Sequence, residues 1–406
     1  MGAGQTRMEH GVFEDSVGVS EGAVEGPEEN ERGSFPSDDD PASSKFERAE
    51  SADIFLHVMQ DAKVVFQIGQ HAGISSAIRY AASGRGHNEA VRTVARLLCA
   101  GAQLDLYVCG GASIYRGVLN CVSRFNINEG NWECLPPMPT ARRLCGAAAL
   151  GGSLYVVGGE QEESLQCFAI AAWRQYHQLR TAERFDALLG TWAPLQDMPT
   201  ARAGCTCAAE GGLVYAVGGR VGEAVGAAAE RLDTRTGRWE TLPPLPTARS
   251  GCAAAALRGH VLVLGGKGTD SQILSVLEAF DPGRGMWQIL PPSPSPRSAC
   301  ACAAVDSRLI VAGGFDGTEG LATVDAFDLR AGVWESAAPP MRSWRIGCAV
   351  VSARGRLYVL GGKTGDVGEA QLQSECWDPA AGKWSLLPPT MERHVYCAGA
   401  PLVCCQ

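Results

Sequence analysis

The sequence predicts an all-β fold built from six copies of one unit of about 48 residues. Three observations carry this prediction: a Gly-Gly pair follows a short apolar run six times, a Trp follows each pair, and an Arg lies 16 residues before five of the pairs. The apolar runs, such as LYVC and LYVL, are rich in Val, Leu and Tyr and end at turn residues. Each run therefore indicates a buried strand.

The glycine pairs and the tryptophans define the period, and we expect both sets to have structural roles. The pairs are Gly110 and Gly111, Gly158 and Gly159, Gly218 and Gly219, Gly265 and Gly266, Gly313 and Gly314, and Gly361 and Gly362. The tryptophans are Trp132, Trp192, Trp239, Trp287, Trp334 and Trp384.

Each Trp also belongs to a predicted hairpin. In every copy a bulky residue lies seven positions before the Trp, an Asp or Asn follows that residue, and a Gly lies two positions before the Trp. Asp and Asn begin turns through their own backbone hydrogen bonds, and Gly accepts a positive φ. The Trp then begins the returning strand, where its large ring is expected to pack between neighbouring sheets.

The arginines form a third periodic set. Its members are Arg142, Arg202, Arg249, Arg297, Arg345 and, as the sixth, Arg393. Arg393 opens the strand-like run ERHVYCAGAPLVC, which has no Gly-Gly pair behind it. A Cys follows each of the first five arginines by three residues. We interpret these cysteines as small buried side chains, with a thiol or metal sensor as the alternative.

These motifs resemble Kelch repeats over about residues 104–403. Kelch repeats fold as four-stranded blades, so the resemblance implies a six-bladed β-propeller spanning 104–406. The implied blades fall at about 104–140, 141–200, 201–247, 248–295, 296–341 and 342–391. A closing strand at 393–403 would complete the first blade, and the second blade carries an insertion at about 167–180.

The resemblance also implies where a partner binds. In Kelch propellers that capture peptides, the arginines of this phase and the loops after Gly-Gly face one mouth of the channel. We therefore expect the six arginines to contact a partner, with the alternative that they hold the blades together. The loops KGTDSQ, FDGTEG and KTGDVGE vary in charge and would set specificity.

The expected function is a non-catalytic protein–protein interaction module or scaffold for a peptide or protein, including acidic or phosphorylated segments. One alternative is the substrate-recognition subunit of a cullin-type ubiquitin ligase, although no BTB or F-box pattern is present. A propeller enzyme, either an oxidase or a sugar epimerase, is disfavoured because the seven His do not recur at metal-ligand spacing. We expect no catalytic residue, metal or cofactor.

The charge of the chain is concentrated in its first fifty residues. These hold 13 acidic and 4 basic residues, a net −9, which is the net charge of the whole chain. We predict a disordered acidic segment at 1–50 and a short, partly helical lead-in at 51–103. The acidic segment is interpreted as a solvating tail, with occupation of the mouth as the alternative. A propeller without net positive charge disfavours nucleic acid as a partner.

The first residues, MGAGQT, match the N-myristoylation pattern at Gly2, which would give a weak membrane tether. We expect no membrane span, because no apolar run reaches about 18 residues. The expected location is the cytoplasm, with the nucleus as the alternative. The oligomeric state is left open.

Overall fold

The computed structural model describes residues 103–113, 116–162, 176–364, 369–370, 373–390, 392 and 394–404. The predicted acidic segment, the lead-in as far as residue 102, Gly2 and Arg393 lie outside these residues. Strands and turns, with no α-helix, make up the described part of the chain. In that part there is also no helix with the length and apolarity needed to cross a membrane.

Six antiparallel sheets of four main strands follow one another around a central channel. From inner to outer strand, the first three blades are β31 (Ala398–Cys404), β1 (Gln103–Cys109), β4 (Val122–Asn126), β5 (Asn131–Leu135); β6 (Gly146–Leu150), β7 (Ser153–Val157), β10 (Ala182–Asp186), β11 (Thr191–Pro194); and β12 (Thr206–Glu210), β13 (Leu213–Val217), β16 (Ala229–Asp233), β17 (Arg238–Leu242).

The other three blades repeat this order. They are β18 (Ala253–Leu257), β19 (His260–Leu264), β20 (Leu277–Asp281), β21 (Met286–Leu290); β22 (Ala301–Val305), β23 (Arg308–Ala312), β24 (Val324–Asp328), β25 (Val333–Ala338); and β26 (Ile346–Ala353), β27 (Arg356–Thr364), β29 (Glu375–Asp378), β30 (Lys383–Leu386). Short strands extend some loops, namely β2 (Ala112–Ser113) with β3 (Gly117–Val118), β8 (Glu160–Glu162) with β9 (Tyr176–Gln178), β14 (Arg220–Val221) with β15 (Ala224–Val225), and β28 (Glu369–Ala370) with β27.

The ring closes in the first blade. Strand β31, from the C-terminal end of the propeller, pairs with β1 in a seven-residue register from Ala398↔Cys109 to Cys404↔Gln103. The inner strands of adjacent blades contact one another in an unbroken circle, from β31 through β6, β12, β18, β22 and β26 back to β31. The predicted all-β, six-bladed propeller with a closing C-terminal strand is therefore confirmed.

The apolar core is divided into six clusters, one between each pair of neighbouring blades. Between the first two blades, for example, Tyr107 and Cys109 pack against Leu154, Val156 and Phe185. These side chains are almost fully buried, and each such residue contributes roughly 1.5–3 kcal/mol through removal from water. No blade completes its own core, so the blades depend on each other.

The hairpins have the predicted geometry in all six blades. The Asp or Asn side chain accepts backbone hydrogen bonds from the residues two and three positions later, as Asp281 does from Gly283 and Arg284. The indole Nε1 of each Trp donates to a backbone carbonyl of the preceding blade at 2.8–2.9 Å. Trp132 closes this series by donating to the carbonyl of Pro388.

The two ends of the propeller carry different connections. The Gly-Gly pairs and the segments between outer and inner strands lie at one end, which we call the upper face. The Asx turns and the hairpins between the first two strands of each blade lie at the opposite end, the lower face. Of the predicted insertion of the second blade, Tyr176–Gln178 is described and pairs with Glu160–Glu162 on the upper face; residues 163–175 are outside the description.

The glycine pairs are required by a close approach between blades. The first Gly of each pair has φ of 61–66°, and a Cβ there would lie 2.2–3.0 Å from a backbone carbonyl oxygen of the next blade's connecting segment. The second Gly has φ of 88–103°, which side chains rarely adopt. Both positions therefore exclude any residue with a Cβ.

We predict that Gly265→Ala destabilises the propeller far more than Gly285→Ala. The two glycines have nearly the same φ, 65° and 66°. A Cβ at Gly265 meets the carbonyl oxygen of Arg297 at 2.2 Å, whereas at Gly285 it meets nothing within 4 Å. Gly285→Ala should cost about 1–2 kcal/mol from backbone strain. Gly265→Ala should cost at least about 2 kcal/mol more, measured by urea unfolding, and equal costs would contradict this explanation.

Candidate functional site

The predicted arginines lie in the interior of the propeller. Arg142, Arg202, Arg249 and Arg297 are 0% exposed and Arg345 is 2% exposed. In each of these five, Nη1 donates to the carbonyl of the first Gly of its own blade's pair. For these five arginines, burial and internal hydrogen bonds favour the alternative, that they hold the blades together, over contact with a partner; Arg393 lies outside the described residues.

Each buried guanidinium is paired with a carboxylate on the third strand of the same blade. The pairs are Arg142–Glu183 (3.1 Å), Arg202–Glu230 (2.6 Å), Arg249–Glu278 (2.8 Å), Arg297–Asp325 and Arg345–Glu375 (2.8 Å). Each acid lies two residues before the bulky residue of the hairpin, a periodic signal that the sequence contains and our prediction missed. A buried charge needs such a partner, because desolvation without one is costly.

The closing position differs from the other five. The carbonyl of His394 accepts the N–H of Gly362, as the carbonyl of Arg345 accepts that of Gly314 in the preceding blade. The His394 Nδ1 lies 2.9 Å from the carbonyl oxygen of Gly110, where the other blades have arginine Nη1. His394, not Arg393, thus occupies the sixth position of the series. Its blade has Ser123 where the others carry an acid.

A closed ring of backbone hydrogen bonds surrounds the channel just below the upper face. Its six members all have positive φ. The N–H of each member donates to the carbonyl of the corresponding ring member in the preceding blade at 2.8–3.1 Å. They are Leu144, Gly204, Gly251, Ala299, Gly347 and Tyr396. The ring fixes the backbone at the channel entrance without using any side chain.

The residues immediately above this ring form the channel entrance, which we call the rim. In each blade, the residue after the Gly-Gly pair forms a β-bridge with the residue that precedes the ring member. The rim pairs, from the first blade to the sixth, are Ala112–Val395, Glu160–Arg143, Arg220–Ala203, Lys267–Ser250, Phe315–Ser298 and Lys363–Ile346. We call the Gly-Gly pairs, the periodic tryptophans and the buried arginines with their acids the frame. Unlike the frame, the rim residues differ from blade to blade.

The second and third blades supply a charged sector of the rim. Glu160 is 2% exposed and binds two guanidiniums: Arg143 Nη2 lies 2.7 Å from its Oε1, and Arg220 Nη2 lies 2.8 Å from its Oε2. The guanidinium carbon of Arg143 also lies 3.8 Å from the ring centroid of Tyr176, a cation–π contact. Arg143 and Arg220 are 23% and 38% exposed, so both reach solvent.

An apolar sector spans the fifth, sixth and first blades of the rim. Phe315, Ile346 and Val395 are half-buried members of the rim in the fifth, sixth and first blades. The Trp344 ring lies against Gly320 at the end of the loop that Phe315 begins. Phe315 and Ile346 thus lie opposite the charged sector, with Lys363 beside Ile346, whereas Val395 lies in the blade next to that sector.

Comparisons with known proteins agree with this architecture. The KLHDC2/KLHL20/DRC7 Kelch-repeats domain matches residues 84–266 and 204–404. The chain belongs to the Kelch-repeat family. A solved propeller titled "Structure of YjhT" has a TM-score of 0.56 and 16% identity, and the match covers 66% of this chain and 91% of that one, which supports the fold alone.

Two curated relatives each match part of the chain. Kelch-like protein 25 of Xenopus tropicalis is 32% identical over 121 residues, which are 30% of this chain and 18% of that protein. Human Kelch-like protein 33 is 32% identical over 117 residues, 28% of this chain and 20% of that protein. The matched part of the chain thus spans about a fifth of the length of these relatives.

The periodic cysteines of the Kelch propeller are buried beside the arginines. Burial raises the pKa of Cys145, Cys252 and Cys348 to about 12, although the neighbouring arginines act in the opposite direction. These thiols are therefore protonated at neutral pH, whereas the thiolate is the reactive form. Within the described ranges, no group of three His, Cys, Asp or Glu side chains could hold a metal ion.

We predict that the buried Arg–acid pairs stabilise the folded propeller because each charge neutralises the other. Arg249→Met should lower the free energy of unfolding by about 3–5 kcal/mol, because Glu278 is left as an uncompensated buried charge. The double variant Arg249→Met/Glu278→Leu should recover much of this loss. As a control, Arg231→Met removes the more exposed Arg231–Glu240 pair and should cost at most about 1 kcal/mol in the same urea titration. Equal costs for the two single variants would contradict the assignment.

We also predict that His394 makes ring closure sensitive to acid. Burial lowers the pKa of His394, so the folded state binds its proton less readily than the unfolded state. Its contribution to stability is complete above about pH 6.5 and declines as the pH falls below that value towards the folded pKa. The thermal midpoint should therefore fall more between about pH 7.5 and 5.5 in the wild type than in His394→Arg/Ser123→Glu, which supplies the charge pair of the other blades.

Two variants control this measurement. His260→Gln removes a more exposed histidine of the lower face and controls at pH 7.5 for the loss of an imidazole elsewhere in the propeller. His394→Arg alone places a buried guanidinium without its acid, so it should be less stable than the double variant. An identical pH dependence in the wild type and the double variant would refute the role of His394.

Proposed function

We propose that this Kelch propeller is a non-catalytic interaction module that binds a peptide or protein segment at the rim. The observation that carries the proposal is the contrast between frame and rim. Glycine pairs and tryptophans repeat in all six blades and buried Arg–acid pairs in five, whereas the rim residues above them vary in charge, size and polarity. Such variation on a fixed scaffold is typical of recognition surfaces.

The chemistry of the rim supports acidic segments, including phosphorylated ones, as the class of partner. Four of the twelve rim residues are cationic, namely Arg143, Arg220, Lys267 and Lys363, and one, Glu160, is anionic, which gives a formal +3. Positive charge around a concave entrance attracts anionic segments and speeds their association. We further propose a reducing compartment such as the cytoplasm, which the free cysteines of the described residues support.

A cullin-type ubiquitin-ligase receptor is a more specialised version of this proposal. It would use the same rim to hold a substrate, and the similarity to Kelch-like proteins is the observation that favours it. Co-purification of the full chain with a cullin is the discriminating observation.

The test is selection from a random peptide display library on the full chain. We expect enriched peptides whose binding is lost in Lys267→Glu/Phe315→Ser, because this variant changes both the charge and the apolar surface of the rim. The control, Arg308→Glu, changes an exposed charge of the lower face and should retain binding. All proteins are first compared by thermal melting. Peptides lost equally in both variants, or no enrichment at all, would count against the rim as the binding surface.

A further inference from the structure

We propose that Arg143 and Arg220 form a clamp for a carboxylate, and that the bound segment carries this carboxylate close to an apolar side chain that packs on the opposite sector of the rim. This inference rests on the proposed function, because it names the chemistry of a ligand at the same surface.

The clamp is built before any ligand arrives. Glu160 is held in the second blade by two backbone hydrogen bonds with Arg143, and its carboxylate binds both guanidiniums. Tyr176 lies against the face of Arg143, which restricts the tilt of the guanidinium plane, and the Arg143 side chain remains 23% exposed. Preorganised side chains bind at lower entropic cost, because their rotamers are already restricted.

Donors remain on both arginines after these contacts. Arg143 uses Nε and Nη2 for Glu160, and Arg220 uses only Nη2. Within the described residues, no further protein partner is seen for Arg143 Nη1 or for Arg220 Nε and Nη1. These remaining N–H groups can each donate to an oxygen of a carboxylate held between the two guanidiniums. The five buried arginines offer no such groups to a ligand, because each is enclosed with its own acid.

The charge of the clamp favours a carboxylate over a phosphate. Two guanidiniums and one carboxylate carry a net charge of +1, which a single further carboxylate neutralises. A phosphoryl group carries about −1.5 to −2 at pH 7, so it would exceed this charge and lie close to the Glu160 anion. Lys267 of the adjacent blade can support the anion without entering the clamp.

The apolar sector determines what accompanies the carboxylate. In a ring of six blades, the second and third face the fifth and sixth, so the clamp lies opposite Phe315 and Ile346. The acid of the Phe315 loop, Asp316, accepts hydrogen bonds from Thr318 and Glu319 of its own loop, which lower its pKa and keep it ionised there. A segment across the channel entrance would therefore meet the two guanidiniums at one end and, at the other, the apolar surface of Phe315 and Ile346 with Lys363 beside it.

The experiment uses four matched pools of fluorescein-labelled octapeptides with mixed Gly, Ser, Leu and Tyr around one fixed position. The first pool has Glu at that position and a C-terminal amide, and the second has Gln and a free C-terminal carboxylate. The third has phosphoserine and an amide, and the fourth has Gln and an amide. Fluorescence anisotropy measures the Kd of each pool for the full chain, for Arg220→Gln and for the lower-face control Arg308→Gln.

We expect at least one carboxylate pool to bind the wild type about tenfold more tightly than the neutral pool, the gain typical of a charge-assisted hydrogen bond. The Glu pool and the free-carboxylate pool distinguish an acidic side chain from a chain terminus as the source. Arg220→Gln should abolish the difference and Arg308→Gln should retain it. Arg220→Gln keeps the Arg143–Glu160 pair, and its thermal midpoint should match that of the wild type.

Three results would overturn the clamp. The neutral pool could bind as tightly as both carboxylate pools, the phosphoserine pool could bind most tightly, or the carboxylate preference could survive Arg220→Gln. In each of these cases the proposed function stands, because peptides still bind. If no pool binds while library-selected peptides do, only the clamp fails; if neither binds, the proposed function fails with it.

Discussion

The residue at the arginine position connects the blades, and the rest of the propeller depends on it. Its carbonyl accepts a hydrogen bond from the preceding blade, its side chain binds the glycine carbonyl of its own blade, and in five blades an acid neutralises it. The glycine pairs follow from this contact, because no Cβ fits beside the carbonyl. The hydrogen-bond ring lies only two residues further along the chain. One buried polar contact thus determines the spacing, the backbone conformation and the position of the channel entrance.

Frame and recognition surface are therefore separated by very short stretches of chain. Arg142 is fully buried and belongs to the frame, whereas Arg143 reaches solvent and belongs to the rim. Two adjacent residues of the same type have different roles because the β-bridge directs one inwards and the next towards the channel entrance. Substitutions at the rim can change the ligand without disturbing the contacts that hold the blades.

Sequence periodicity predicted the propeller well, since fixed intervals from Arg to Gly-Gly, and from Asx to Gly and Trp, specify one hairpin per blade. It did not predict that the arginines are buried, because a residue that recurs at a fixed position in each repeat can be either buried or exposed. Their acids, such as Glu278 two residues before Phe280, were the missing signal. The sixth position was placed one residue early, at Arg393, because the closing strand has no Gly-Gly pair after it to fix the count. The clamp of Arg143, Glu160 and Arg220 occurs once, so a search for repetition could not find it.

The closing strand has a consequence for how the protein is made. Strand β1 is among the first parts of the propeller to be synthesised, yet its inner neighbour β31 is the last. Throughout translation of the intervening blades, β1 exposes unpaired backbone groups that can pair with any strand nearby. The nascent propeller is therefore an incomplete ring in which one strand edge of β1 is unpaired. Chaperones that shield such edges would be needed most during that interval.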